Sequence, residues 1–168
     1  ADPANPARYL TENGYKNFTR IDDPIKVKIK GGFREERLTV RVSRHGPIIS
    51  GVMKAFPPDC AMQWPGLMGR DGTMDGLLTL NRARNFREFR AALGMVRGAS
   101  VHIGYADVDG NIGYQYMSTL PVRKGGENPV AMPGEKGAHD WTGFVPYERH
   151  PYEYNPRKGY VASFNQMP

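Results

Sequence analysis

Few residues in this sequence have the types and spacing that chemistry requires. Ser43 and His45 stand two apart, so in a strand both side chains share one face, as a hydroxyl nucleophile and its base would. No nucleophile elbow surrounds them and spacing identifies no acid, so residues 43–47 read better as a structural corner. His139-Asp140 joins two metal-ligand types, but zinc needs three or four ligands. Cys60 is the single cysteine, which excludes an intrachain disulfide. With no helix start or nearby His to lower its pKa, it is a poor nucleophile. Arg123-Lys124-Gly125-Gly126 has the glycines and bases of a phosphate cradle without Walker spacing or a following helix. Asn165, on its own, is a polar residue ending a strand.

Those residues must be positioned by a strand-rich framework. Twenty Gly and fourteen Pro in 168 residues favour short strands and turns over a helical bundle. Ile25 to Lys30 alternates strictly, Gly31-Gly32 turns the chain, and Leu38, Val40 and Val42 alternate in return, which makes a hairpin with one wet, charged face. Tyr9, Leu10, Tyr15 and Phe18 are candidate anchors of the polar N-terminal stretch. Met53, Phe56, Met62, Trp64 and Met68 read as a satellite core under loops, with a binding surface as the alternative. Leu77-Leu78-Thr79-Leu80 reads as a short strand. Asn85 can cap a helix whose Glu88 follows three residues later, with Phe86, Phe89, Arg90 and Leu93 on one side and Gly94 at its end.

A second hairpin follows. Val101, Ile103 and Tyr105 alternate on the way out, and Ile112, Tyr114 and Tyr116 on the way back, the apolar face of each strand. Asp109-Gly110-Asn111 supplies the turn. Trp141 is a buried anchor, and residues 159–165 form a final strand. The net charge of +6 would suit an acidic partner. The bases are interleaved with acids, however, and there is no RNA-binding signature, so nucleic acid is not expected. No signal peptide and no membrane-length apolar run is present, so no membrane partner is expected either.

The wording Tyr105-Ala106-Asp107-x-x-Gly110-Asn111-Ile112-Gly113-Tyr114 resembles the penicillin amidase (penicillin G acylase) family of N-terminal-nucleophile hydrolases. Further matches keep the family's order: His45-Gly46-Pro47, Asn85-Phe86-Arg87-Glu88-Phe89, Pro121-x-Arg123, Trp141-x-Gly143, Pro146, Asn155-Pro156, Gly159-Tyr160 and Val161-Ala162-Ser163-Phe164-Asn165. Each is weak alone; their shared order and spacing carry the resemblance over most of the chain. It implies a single internal fragment of the β-subunit, residues 1–168 without an internal boundary, α+β in class. That fragment would be rich in antiparallel strands, with one main helix, inside an αββα fold.

The resemblance also implies a function. Such enzymes cleave amides with an N-terminal Ser whose own α-amine is the base. Residue 1 is Ala, so the Ser and an oxyanion backbone amide are expected upstream, and the fragment alone is expected to be inactive. Asn165 matches the asparagine whose side-chain amide donates to the oxyanion. The backbone carbonyl of Pro129 matches one calcium ligand, whose companions would lie outside this chain. No cofactor is required; calcium is an option for the parent. The implied partners are a small-molecule amide (a β-lactam or an acyl-homoserine lactone) and the remaining α- and β-subunit segments, with self-association of the isolated fragment. The implied location is periplasmic or secreted. The rival reading is a stand-alone β-rich binding module built on Trp64, the tyrosines and the basic surface.

Overall fold

A computed structural model describes residues 1–69, 71–126 and 130–164. The chain forms two compact units, residues 1–63 with 124–140, and residues 64–123 with the segment that begins at Trp141.

In the first unit, strands β1 (Arg8–Thr11) and β2 (Gly14–Asn17) form a hairpin. Strands β3 (Thr19–Ile29) and β4 (Gly32–Ser43) form a long antiparallel ribbon, turned at Gly31 with φ of 88°. The two-residue strand β5 (Gly46–Pro47) folds back on β4. Period two sorts the ribbon into faces. Ile21, Ile25, Val27 and Ile29 share one face with Leu38 and Val40, and with Asp23, Arg34 and Glu36 among them; Arg20, Asp22, Lys26 and Lys28 share the other with Phe33, Glu35, Arg37 and Arg41. The charged face is wet, as expected. The more apolar face is open too: Ile21, Ile25, Ile29 and Leu38 are each more than 40% exposed. Phe18 is buried and stacks near Tyr9 at 4.9 Å, whereas Leu10 and Tyr15 lie on the surface.

The second unit pairs two helices with a sheet. Helix α1 spans Thr73–Leu80 and helix α2 spans Phe86–Leu93. The run Leu77-Leu78-Thr79-Leu80, expected as a strand, is the second half of α1. Asp71 nucleates it by accepting from the Thr73 amide and hydroxyl, and Leu and Met are good helix formers. At Gly76 a Cβ would stand 2.9 Å from the Ala92 carbonyl, so the glycine lets α1 approach α2. The expected cap of α2 is present: Asn85 Oδ1 accepts from the Glu88 amide at 2.9 Å. Glu88 reaches back one residue farther than a capping box, to the Arg84 amide.

The sheet runs β10 (Tyr152–Tyr154), β7 (Ile112–Met117), β6 (Val101–Ala106), all antiparallel. Val101, Ile103 and Tyr105 share a face with Met117, Gln115 and Gly113, and Ile103, Tyr105 and Met117 pack with Phe86, Phe89, Leu93 and Val96. The return strand therefore turns the other phase to the helix. Ile112, Tyr114 and Tyr116 point away from it, because the register pairs Tyr105 with Gly113. As the central strand, β7 is covered on both sides: Gln115 is fully buried under α2, and Tyr116 is buried beside His102. Gln115 accepts from Arg90 Nε at 2.6 Å and donates to the Tyr116 carbonyl, so its burial leaves no orphan polar group. A separate pair, β8 (Pro121–Arg123) and β9 (Trp141–Phe144), brings Arg123 over the half-buried Trp141 ring.

Two more expectations are corrected. Met53, Phe56, Met62, Trp64 and Met68 do not form a satellite core; each is exposed. Residues 160–164 are not in a strand, since no neighbouring strand among the described residues offers them a ladder.

Two predictions follow from packing. Gly113 lies against Phe86 and the Glu153 carbonyl, each 2.7 Å from where a Cβ would stand. Gly113→Ala is expected to destabilise the protein by about 2 kcal/mol through overpacking. Asn85→Ala, which removes one cap bond, is expected to cost about 1 kcal/mol. Urea unfolding of both variants checks the order, and equal losses would contradict it. The open ribbon face predicts that residues 1–168 alone self-associate. Ile25→Lys combined with Ile29→Lys should then raise the monomer fraction in sedimentation velocity, and an unchanged distribution would exclude this face as the contact.

Candidate functional site

The densest polar construction lies in the loop between β6 and β7. The Asp107 carboxylate accepts from the Asp109 amide at 3.1 Å, the Asn111 amide at 2.9 Å, Asn111 Nδ2 at 2.8 Å and the Tyr105 hydroxyl at 2.8 Å. This is what an Asx-type turn requires: one acceptor gathers amides that no strand can satisfy. The donors favour the charged form, with Asn111 contributing most, and hold the Asp107 carboxyl below its ordinary range. Burial and the same carboxylate push the Tyr105 phenol up to about 12.

The loop is tied to the segment after β10. Asn155 Nδ2 donates to Asn111 Oδ1 at 2.7 Å, and Asn155 Oδ1 accepts from the Ile112 amide at 2.9 Å. The Asn155 amide in turn donates to the Ile112 carbonyl at 2.8 Å. Asn155 holds φ of 46°, in the left-handed region that Asn tolerates better than most residues. Beside this network, Phe86, Arg90, Ala91, Tyr147, Tyr152 and Tyr154 line an open groove of about 500 Å³. Arg90 is already committed there, stacked 3.7 Å from the Tyr152 ring centroid and bonded to Gln115.

In the first unit, His45 meets an acid that its sequence neighbourhood did not reveal. Asp140, 95 positions away, contacts His45 Nε2 at 2.7 Å. Ser43 does not complete a triad: its hydroxyl donates to the Gly46 carbonyl at 3.1 Å and accepts from the His45 amide. A nucleophile must instead give its proton to the imidazole. Arg44 bonds Glu12, Asp140 and the Gly134 carbonyl, so this cluster clamps the β4–β5 corner to residues 134–140. Gly46 has φ of 117° and lies directly against the Met62 carbonyl, where a side chain has no room. The corner reading of residues 43–47 fits this geometry.

Asn165 and Pro129, the two site residues implied by resemblance, lie outside the described residues. Among the described residues no group of three or more His, Cys, Asp or Glu could hold a metal ion. No described helix is long and apolar enough to cross a membrane.

Asp107 makes a pH prediction. Its folded pKa is depressed from 3.8, so its contribution to stability is complete above the unfolded value and is lost as pH falls through the folded value. Asp107→Asn is expected to give a shallower loss of stability below about pH 4 than wild type, while other carboxylates keep their own share. Urea midpoints measured against pH check this; parallel acid limbs would contradict it.

Comparison with known proteins places these motifs. The family model described as penicillin amidase matches residues 1–168. An acyl-homoserine lactone acylase of Pseudomonas fluorescens is 33% identical over 95% of this chain and 20% of its own length. Penicillin G acylase of Escherichia coli is 38% identical over 52% of this chain and 10% of its own. The solved structure of a thermostable penicillin G acylase from Alcaligenes faecalis superimposes with a TM-score of 0.76, covering 99% of this chain and 29% of that one at 24% identity. The chain thus spans about a fifth of the length of the first of these relatives. Over that match this chain, strand-rich with two helices and α+β in class, shares the fold of the solved structure. With the family match extending over every residue from 1 to 168, the chain belongs to the penicillin amidase family.

Proposed function

We propose that the whole protein containing these residues is an amide hydrolase that releases an acyl group from a small acylated molecule. The observation that carries this reading is the family match over residues 1–168, together with relatives named as acylases. Five of the relatives at 30% identity or more are named acyl-homoserine lactone acylases. An acyl-homoserine lactone is therefore the first substrate to try, ahead of a penicillin.

The proposed chemistry is acyl transfer to an N-terminal Ser outside residues 1–168. The Ser hydroxyl oxygen bonds to the amide carbon while its proton moves to the α-amine. The tetrahedral oxyanion collapses, the carbon–nitrogen bond breaks, and the proton passes to the departing amine. Water then hydrolyses the ester. Asn165 is the proposed side-chain donor to the oxyanion in both halves. No cofactor takes part in these steps. A calcium ion with the Pro129 carbonyl among its ligands is a structural proposal for the whole protein only. The remaining segments of the polypeptide are proposed to cover the open apolar face of the β3–β4 ribbon. A periplasmic or secreted location is proposed for the same enzyme.

Two measurements test this. The whole protein is expected to release homoserine lactone from an acyl-homoserine lactone, whereas residues 1–168 alone are expected to give no turnover. Turnover by residues 1–168 would overturn the assignment of the nucleophile. In the whole enzyme, Asn165→Ala is expected to lower kcat by about 10²–10³-fold with little change in KM, because the donor matters only once charge has developed. Asn165→Asp should be at least as damaging, since a carboxylate opposes that charge. A kcat within a few-fold of wild type for Asn165→Ala would end the oxyanion assignment.

A further inference from the structure

We propose that the groove between α2 and β10 is an internal docking site: in the whole protein it receives a segment of the same polypeptide, from outside residues 1–168, that carries a carboxylate beside an apolar side chain. The inference rests on the family match and not on the activity proposed above.

The groove lies wholly within the second unit. Its walls are aromatic, built from Phe86, Tyr147, Tyr152 and Tyr154. Phe86 is buried, and both outer tyrosines pack on it: Tyr154 stacks at 4.5 Å and Tyr152 lies at 6.3 Å. Yet Tyr152 and Tyr154 remain 48% and 45% exposed. Their rings are half covered by α2 and half open. Contiguous exposed rings mark contact surfaces, and Tyr and Arg are enriched where such contacts are strongest.

The charges of the groove are Arg87, Arg90 and Glu148. Arg87 and Arg90 stand three apart on α2 and so share a face. Arg90 Nε donates to Gln115 and its guanidinium stacks on Tyr152, but no carboxylate among the described residues pairs with it. Arg87 makes no hydrogen bond or ion pair among the described residues. It also lies in the first turn of α2, where the helix dipole disfavours a cation. The neighbouring acids are taken: Glu88 pairs with Arg84, and Glu153 with Lys158. Glu148 alone is left for two guanidiniums and is bonded to neither. A carboxylate entering here would gain charge-assisted hydrogen bonds from Arg87 and Arg90 and relieve the dipole.

Length names the source of that carboxylate. The matched residues make up 20% of the acyl-homoserine lactone acylase of Pseudomonas fluorescens, so four-fifths of such a polypeptide lies outside them. A segment of the same chain docks at a high effective concentration, whereas a separate ligand loses its translational freedom. For a groove this open, the tethered segment is the favoured occupant.

The test is a zero-length cross-link in the whole protein. Arg87→Lys puts a primary amine at the groove, and a carbodiimide joins it to a carboxylate only at contact distance. Peptide mapping is expected to find that amine joined to an Asp or Glu outside residues 1–168, and Arg87→Gln is expected to abolish the product. A second readout needs no variant. Hydroxyl-radical oxidation of Tyr152 and Tyr154 in the native whole protein is expected to be at least about tenfold slower than in the unfolded protein, because a docked segment excludes water from the rings. An amine that reacts freely with an acylating reagent yet links to nothing but Glu148 would overturn the proposal. So would Tyr152 and Tyr154 oxidised at about half the unfolded rate, the rate their exposure in this structure gives. A link between two copies, detected in a mixture of isotope-labelled and unlabelled protein, would make the groove a self-contact instead. Tyrosine protection that appears only when octanoate is added would make it a site for a small carboxylate instead. None of these measurements depends on amide hydrolysis, so the docking and the proposed activity stand or fall separately.

Discussion

A single carboxylate organises the second unit. Asp107 gathers two backbone amides, the Asn111 side chain and the Tyr105 hydroxyl. Residues 107–111 make no ladder of their own, and Asp107 supplies the acceptor that water would otherwise provide. The loop therefore closes in one way, and its closure sets the β6–β7 register. That register puts Gly113 opposite Tyr105 and beneath Phe86. A one-residue slip would exchange every side chain between the two faces. It would drive Tyr114 into the space where Phe86 needs a glycine, and move Gln115 away from Arg90 Nε.

The aromatic cluster depends on the same register. Phe86 stacks on Tyr154 at 4.5 Å and meets Tyr105 edge-on at 5.3 Å, while Phe89 lies 5.1 Å from Tyr105. These rings come from α2, β6 and β10, so the helix is seated by side chains whose places the hairpin dictates. The Asn85 cap points α2 into that seat. Leu93, fully buried, completes the core near its end. Local turn chemistry and packing are thus joined from Asp107 to Asn111 to Asn155.

What was legible in the sequence was local. The ribbon of β3 and β4, the hairpin of β6 and β7 and the start of α2 each announce themselves within about twenty residues, by alternation or by a cap. The order of the family motifs also read correctly, because it needs no geometry. What failed needed knowledge of partners. Leu77 to Leu80 is apolar enough for a strand, but it continues a helix that starts beside Asp71 and packs closely on α2 at Gly76. The phase of β7 escaped because a central strand is covered on both faces, so Gln115 is as buried as any apolar neighbour. Residues 160–164 have a strand's composition without a strand beside them among the described residues. His45 and Asp140 lie 95 positions apart, beyond the reach of any spacing rule.

The most direct test of this dependence is hydrogen exchange, residue by residue, on the whole protein and its Asp107→Ala variant. If the carboxylate holds the loop and the loop holds the register, the Asn111 and Ile112 amides should exchange at least about tenfold faster in the variant. The amides of Leu93 and Val96, in the core, should keep their protection. Wild-type exchange at Ile112 in the variant would show that the register and the Asn155 anchor stand without Asp107, and would contradict the account.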